Sequence, residues 1–115
     1  MLLISTITSD PKQSHTLILP SGKSVTMDLE FKPLQAGWFM DLQYETFSLK
    51  GFRVCSLPNL LRQFQNIIPF GMACYVDADQ EPLFLDDFKS GRAKLYIMTT
   101  SEVQAYEDYL GQATA

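Results

Sequence analysis

One histidine, two cysteines and a run of alternating carboxylates are the residues of this 115-residue chain whose types could do chemistry. His15 could act as a general base. Cys55 or Cys74 could act as a thiolate nucleophile if the folded chain brought a base beside it. Asp77, Asp79 and Glu81 alternate as D-x-D-x-E, the way a calcium loop begins. None of these patterns is complete. His15 stands between Ser14 and Thr16 at a strand edge, which reads as a structural position. No serine lies in a G-x-S-x-G turn. Both cysteines sit in apolar runs, beside Val54 and Tyr75, and read as buried free thiols. A calcium loop needs Gly at its sixth position and Glu at its twelfth, where this chain has Pro82 and Phe88. One histidine without a C-x-x-C pair leaves no structural zinc set. Neither G-x-G-x-x-G nor a P-loop is present to cradle phosphate. The expectation is a non-enzyme without metal or cofactor.

The elements that position these residues are mostly strands. Leu2 to Ile7 is apolar and ends at Ser9-Asp10-Pro11, so residues 1–10 read as an N-terminal strand or arm. Thr16 to Leu19 is a strand core, and Pro20-Ser21-Gly22-Lys23 is a hairpin-like turn. Val25, Met27, Leu29 and Phe31 then alternate with Ser24, Thr26, Asp28 and Glu30, the period of a half-buried strand. From Gly37 onward Trp38, Met40, Leu42 and Tyr44 share one face, and Phe39, Asp41 and Gln43 the other. Phe47 and Leu49 continue a strand pattern up to Lys50-Gly51, after which Phe52 to Leu57 reads as a further strand. Pro58 to Phe64 fits a single helical turn. Phe70 to Val76 is apolar throughout and reads as a central strand. Asp77 to Pro82 is an acidic loop, and Asp86 to Gly91 a turn that Gly91 ends. Asp87 is expected to cap that turn by accepting a backbone N–H. Arg92 to Thr99 is the last strand. Ser101 and Gln104 fit a capping box that opens a helix over 101–111, with Gly111 as its stop. This rhythm predicts one mostly-β domain over 1–115: an antiparallel barrel or sandwich of about six to eight short strands around a 15–99 core, with a short C-terminal helix. Trp38, Phe52, Phe88 and Leu95 are the expected core.

Charge bounds the partners. The formal net charge is −4, and no basic stripe appears. Nucleic acid is therefore not the expected partner. Residues 1–70 carry six Lys/Arg and five Asp/Glu, whereas residues 71–115 carry three and eight. The acidic loop of Asp77, Asp79, Glu81, Asp86 and Asp87 reads either as a solvated face or as a contact for a basic partner. No apolar run approaches the roughly 20 residues of a membrane span, and the start MLLIST lacks a signal peptide's basic region. Synthesis in the cytoplasm without membrane insertion is expected. Aromatic residues make up 12% of the chain, enough to supply both a core and an interface. Trp38, Phe39, Tyr44 and Tyr96 are the candidate core or interface positions, because Trp38/Phe39 and Leu95/Tyr96 are neighbours on opposite strand faces.

Several segments recur in a familiar order. Gly37-Trp38-Phe39-Met40-Asp41-Leu42 is followed by Phe52-Arg53-Val54 and Asn59-Leu60-Leu61. Gly71 to Asp77, Glu81-Pro82, Asp86-Asp87-Phe88 and Arg92-Ala93-Lys94-Leu95-Tyr96-Ile97 come next. This succession resembles the baseplate plug proteins of contractile-tailed phages, a family known from a cyanophage. There a W-x-(aliphatic)-(polar)-(aliphatic) strand precedes a Leu-Leu turn, and an acidic D…P…DDF stretch leads to a final R-x-x-L-Y strand. The resemblance covers residues 15–99; the family's Gly-rich linkers are thinner here, and the C-terminal helix stands outside it as an extension. It implies a structural subunit of the virion's tail baseplate, made in the host cytoplasm. Such a subunit would touch hub and tube proteins and assemble as a symmetric homo-oligomer, with a trimer favoured. It implies no catalytic residues. The alternative reading is a small β-barrel that binds a ligand or serves as an adaptor without catalysis.

Overall fold

Strict alternation of apolar and polar residues builds the larger of two sheets. The structure, a computed structural model, describes residues 2–19 and 21–114; of Asp79 and residues 112–114 it describes the backbone only. Strands β2 (Lys12–Ile18), β3 (Ser24–Lys32), β4 (Gly37–Tyr44) and β5 (Phe47–Arg53) form an antiparallel meander in the order β2-β3-β4-β5. Its inner face carries Val25, Met27, Leu29, Trp38, Met40, Leu42 and Tyr44, all buried. The turn from β2 to β3 closes with the Gly22 N–H donating to the Leu19 carbonyl at 2.8 Å, and Gly22 takes a φ of 91°. The part expected of Pro20 in that turn lies outside the described residues.

Lys50-Gly51 does not end a strand, as the sequence suggests. β5 runs through it as a bulge: pairing shifts between Met40 and Leu42, so that Lys50 and Gly51 together stand opposite Asp41. Gly51 takes a φ of 65° and donates its N–H to Asp41 Oδ1 at 2.7 Å. Past Arg53 the Val54 N–H still bonds the Trp38 carbonyl, but residues 54–57 form no strand of their own. Phe52, expected in the core, is half-buried and packs on the core's rim.

The smaller sheet packs across this inner face. Strand β1 is only Leu2–Leu3, and it pairs with β7 (Ala93–Met98), which pairs with β6 (Gly71–Val76), all antiparallel. Met72, Cys74, Val76, Ala93, Leu95 and Ile97 point inward into the shared core. β7 is therefore the central strand, and β6, expected to be central, lies at the sheet's end. β6 reads as apolar because both of its faces are covered. The core takes one face. Helix α2 (Thr100–Thr114) takes part of the other, with Val103 packed against Ala73 and Met98. A Cβ on Gly71 would lie 2.9 Å from Val103 Cγ2 and 2.8 Å from Asn59 Oδ1, so only glycine admits the helix this closely. Residues 57–60 run along β6's outer edge, where the Leu57 carbonyl accepts the Cys74 N–H and the Met72 carbonyl accepts the Leu60 N–H.

The capping box that opens α2 lies two residues before the expected one. The Glu102 N–H donates to Thr99 Oγ1 at 3.3 Å, and the Thr99 N–H donates to Glu102 Oε1 at 3.1 Å. The helix continues past Gly111 to Thr114. Among the described residues the architecture is thus seven strands in two antiparallel sheets, with a one-turn helix α1 (Asp87–Ser90) and the C-terminal α2. The sheets do not close on each other, so the fold is a sandwich and not a barrel.

Trp38 is fully buried, with Phe31 at 5.5 Å and Phe88 at 5.7 Å in edge-to-face contact. Trp38→Ala is expected to cost about 3–5 kcal/mol in urea unfolding; a loss below about 1 kcal/mol would show that the indole is not a core element.

Candidate interaction surface

The groups capable of chemistry do not converge. His15 sits on β2 with Nε2 2.7 Å from Gln13 Oε1 and Nδ1 3.0 Å from Thr6 Oγ1. Because Gln13 Oε1 can only accept, Nε2 carries the proton and Nδ1 accepts from the threonine hydroxyl. Burial lowers the pKa of this imidazole, favouring that neutral form. Gln13 Nε2 also donates to the carbonyls of Thr8 and Asp10, so His15 and Gln13 fasten the N-terminal arm to the sheet edge. Cys74 is buried and Cys55 half-buried, and both are free thiols. Burial, then Cys55, then Glu81 push the Cys74 thiol up to about 12. Burial likewise raises Cys55. Neither thiol is poised to ionise near neutral pH. Glu81 Oε2 accepts the Ser56 N–H at 2.9 Å, and Asp77 is exposed in a turn of 3₁₀ helix over Asp77–Asp79; the Asp79 side chain lies outside the described residues. Among the described residues no three His, Cys, Asp or Glu side chains group as metal ligands.

The aromatic candidates divide by strand face. Trp38 and Tyr44 belong to the core, where Tyr44 meets Phe70 edge to face at 5.4 Å. Phe39 and Tyr96 lie on the outer faces of the two sheets. Phe39 is flanked by the Lys32 ammonium at 4.9 Å and the Arg53 guanidinium at 5.4 Å from its ring centre. Its ring helps line an open trough of about 550 Å³ with Lys12, Asp28, Glu30 and Asp41 around it. Tyr96 meets the exposed Tyr75 edge to face at 5.9 Å and is itself half-buried, packed against the Ala73, Met98 and Val103 cluster where α2 covers the sheet.

A third exposed patch lies in the acidic loop, and the sequence reading passed it by. Leu83, Phe84 and Leu85 are 39%, 59% and 39% exposed, three apolar residues in a row. Their backbone is nonetheless fixed. The Trp38 indole N–H donates to the Phe84 carbonyl at 3.1 Å, and the Asp87 N–H donates to the same oxygen at 3.2 Å. The Phe84 N–H donates to Asp87 Oδ2 at 2.9 Å. Asp87 is 1% exposed and pairs with Arg92 at 2.8 Å, and the Arg92 guanidinium lies 5.6 Å from the Phe84 ring centre. The Asp87 carboxylate does accept a backbone N–H, as expected, but it reaches back over the loop instead of capping α1. The available signal was the run itself, since three consecutive apolar residues in a short loop cannot all turn inward. Of the acidic set, Asp77 and Asp86 face solvent, whereas Glu81 and Asp87 are engaged internally.

Two packed antiparallel sheets with aromatic side chains on their outer faces define an all-β sandwich. The chain belongs to the baseplate plug family: the family described as cyanophage baseplate Pam3 plug gp18 matches residues 1–101. That span takes in all seven strands and ends in the first turn of α2. Membership makes the protein a structural part of a phage tail baseplate, associated with other baseplate proteins in the virion tail. No curated protein matches the chain. Among the described residues no helix is long and apolar enough to cross a membrane.

Arg92→Met is expected to destabilise the fold by about 3–5 kcal/mol in urea melts, because it strands the buried Asp87 carboxylate; a loss below 1 kcal/mol would show the pair to be dispensable. Alkali supplies a second check. The folded state holds the Cys74 proton more tightly than the unfolded chain does. This contribution to stability is therefore complete below about pH 9 and is lost as pH rises toward about 12. The limiting slope is about 1.4 kcal/mol per pH unit. Cys74→Ala should flatten most of that slope, and an unchanged profile would contradict the assignment.

Proposed function

We propose that this chain is a plug subunit held in the baseplate by hub and tube proteins, through side chains on the outside of the sandwich. The observation that carries this reading is Phe39. It is an aromatic ring on the outer sheet face, held in place between Lys32 and Arg53 and rimmed by Lys12, Asp28, Glu30 and Asp41. A fixed aromatic anchor within a polar rim is how protein interfaces concentrate their binding energy. The alternating signs of that rim suit a protein neighbour better than a polyanion, which agrees with the absence of nucleic acid from the proposed partners. Tyr96 with Tyr75 offers a second anchor, and the solvent-facing Asp77 and Asp86 a contact for basic side chains. The subunit is made in the host cytoplasm, catalyses nothing, and assembles as a symmetric homo-oligomer, a trimer being the favoured form. The ligand-holding barrel loses its premise, because the sheets stay open and the trough lies outside them.

The test is capture of the hub and tube proteins of the same phage on the immobilised chain. Phe39→Asp should weaken capture by at least about tenfold, or ~1.4 kcal/mol, with the melting temperature nearly unchanged. Full-strength capture by the variant would remove Phe39 from the interface, and no capture by the unaltered chain would overturn the reading.

A further inference from the structure

The hairpin that joins β3 to β4 presents a leucine that the fold itself does not use. Pro33–Gln35 form one turn of 3₁₀ helix at its tip, and Leu34 there is 100% exposed. Among the described residues the next most exposed large apolar side chain, Ile67, is 66% exposed. The backbone beneath Leu34 is nevertheless fixed. Pro33 restricts its own φ, and the Ala36 N–H closes the turn on the Pro33 carbonyl at 3.1 Å. Ala36 takes a φ of 48° and a ψ of 59°, the left-handed conformation that a residue with a side chain adopts only at a cost. The Arg53 guanidinium grips the turn from β5. Its Nη1 donates to the Gln35 carbonyl at 3.3 Å and its Nη2 to the Ala36 carbonyl at 3.0 Å. A Cβ on Gly37 would stand 2.6 Å from Arg53 Nη2, so glycine at this position is what lets the guanidinium reach the turn.

Arg53 is also one of the two cations that flank Phe39. One guanidinium therefore holds the aromatic ring and the hairpin tip in a fixed relation to each other. Two residues of strand separate Gly37 from Phe39, a distance of roughly 7 Å. A protein neighbour that buries a standard patch of about 800 Å² centred on Phe39 reaches roughly 16 Å in every direction. Such a patch takes in the tip. Charged groups of both signs surround the two positions, Lys12, Lys32 and Arg53 against Asp28, Glu30 and Asp41. That mixture suits a protein surface better than an anionic lipid surface.

We propose that Leu34 is a further anchor of the contact made by Phe39: the hub or tube protein that covers Phe39 also receives Leu34 in an apolar pocket. The inference rests on the plug reading with Phe39 at its interface, and it adds a requirement on the neighbour. That neighbour must offer an apolar pocket for Leu34 at the spacing from Phe39 that Arg53 sets. The tip suits this use because its backbone is ordered before contact, which spares the ordering cost of a flexible segment.

The experiment is capture of the hub and tube proteins of the same phage, titrated over the immobilised full chain, for the unaltered protein, Leu34→Asp, Leu34→Ser and Phe39→Asp. Because Leu34 is wholly exposed, both of its variants should keep the parent's far-UV circular dichroism and melting temperature. Leu34→Asp should weaken capture at least about tenfold and Leu34→Ser at least about threefold, on the same partner that Phe39→Asp weakens. Unchanged capture by both Leu34 variants would overturn the inference and leave Phe39 and the plug reading standing. A loss confined to a partner that does not need Phe39 would also overturn it. So would intact capture by Leu34→Asp combined with loss of binding to phosphatidylglycerol vesicles, or with loss of self-association in light scattering, since the tip would then serve a lipid surface or a second copy. No capture by the unaltered chain would overturn the plug reading and the inference with it.

Discussion

The indole N–H of Trp38 must find an acceptor inside the protein, and much of the outer surface follows from where it finds one. Trp38 has no solvent exposure, so an unbonded N–H there would cost about 1–3 kcal/mol. Its acceptor is the Phe84 carbonyl, 46 residues along the chain. That one bond brings the acidic loop down onto the mouth of the sandwich with its backbone facing in. The Phe84 side chain is left facing out. Asp87 then closes the loop from the other side, and Arg92 neutralises Asp87 while lying against the Phe84 ring. A buried side chain on one strand thus dictates the shape of an exposed loop on another part of the fold.

The same logic, one residue in and the next residue out, produces the other surfaces. In β4 the pair Trp38-Phe39 and in β7 the pair Leu95-Tyr96 each put one member in the core and the other on an outer face. The sandwich fixes the inward member, and the outward member inherits that rigidity. A baseplate subunit needs contact groups that hold their position under mechanical load, and side chains rooted on paired strands meet that need better than groups on free loops. α2 covers part of the smaller sheet's outer face, with the half-buried Tyr96 packed at its margin, and leaves Tyr75 exposed.

Local patterns in the sequence were enough to place much of this. The alternation from Ser24 to Phe31 foretold β3 and its buried Val25, Met27 and Leu29, and Gly91 marked the end of the α1 turn. The ordered motifs from Trp38 to Tyr96 carried the family. Features that depend on distant residues were illegible. Lys50-Gly51 looks like a stop, because a bulge is visible only against the Asp41 carboxylate on the neighbouring strand. The apolar run of β6 looks central, because nothing local says that α2 and the 57–60 segment cover an end strand. Ser101 looks like a better cap than Thr99, since both precede a Glu or Gln at the right interval and only the backbone direction leaving β7 selects between them. Nothing near Leu83–Leu85 in the sequence says that the run stays exposed, because its backbone is held by Trp38, 46 residues away.

Hydrogen exchange at single-residue resolution on the native chain tests most directly whether Trp38 orders that loop. The amides of Phe84 and Asp87 should exchange far more slowly than those of Leu83 and Leu85, although all four lie in one short loop segment, and Trp38→Phe should erase the difference while leaving protection in β3 intact. Exchange of Phe84 and Asp87 at the rate of an unstructured peptide in the unaltered protein would contradict the account.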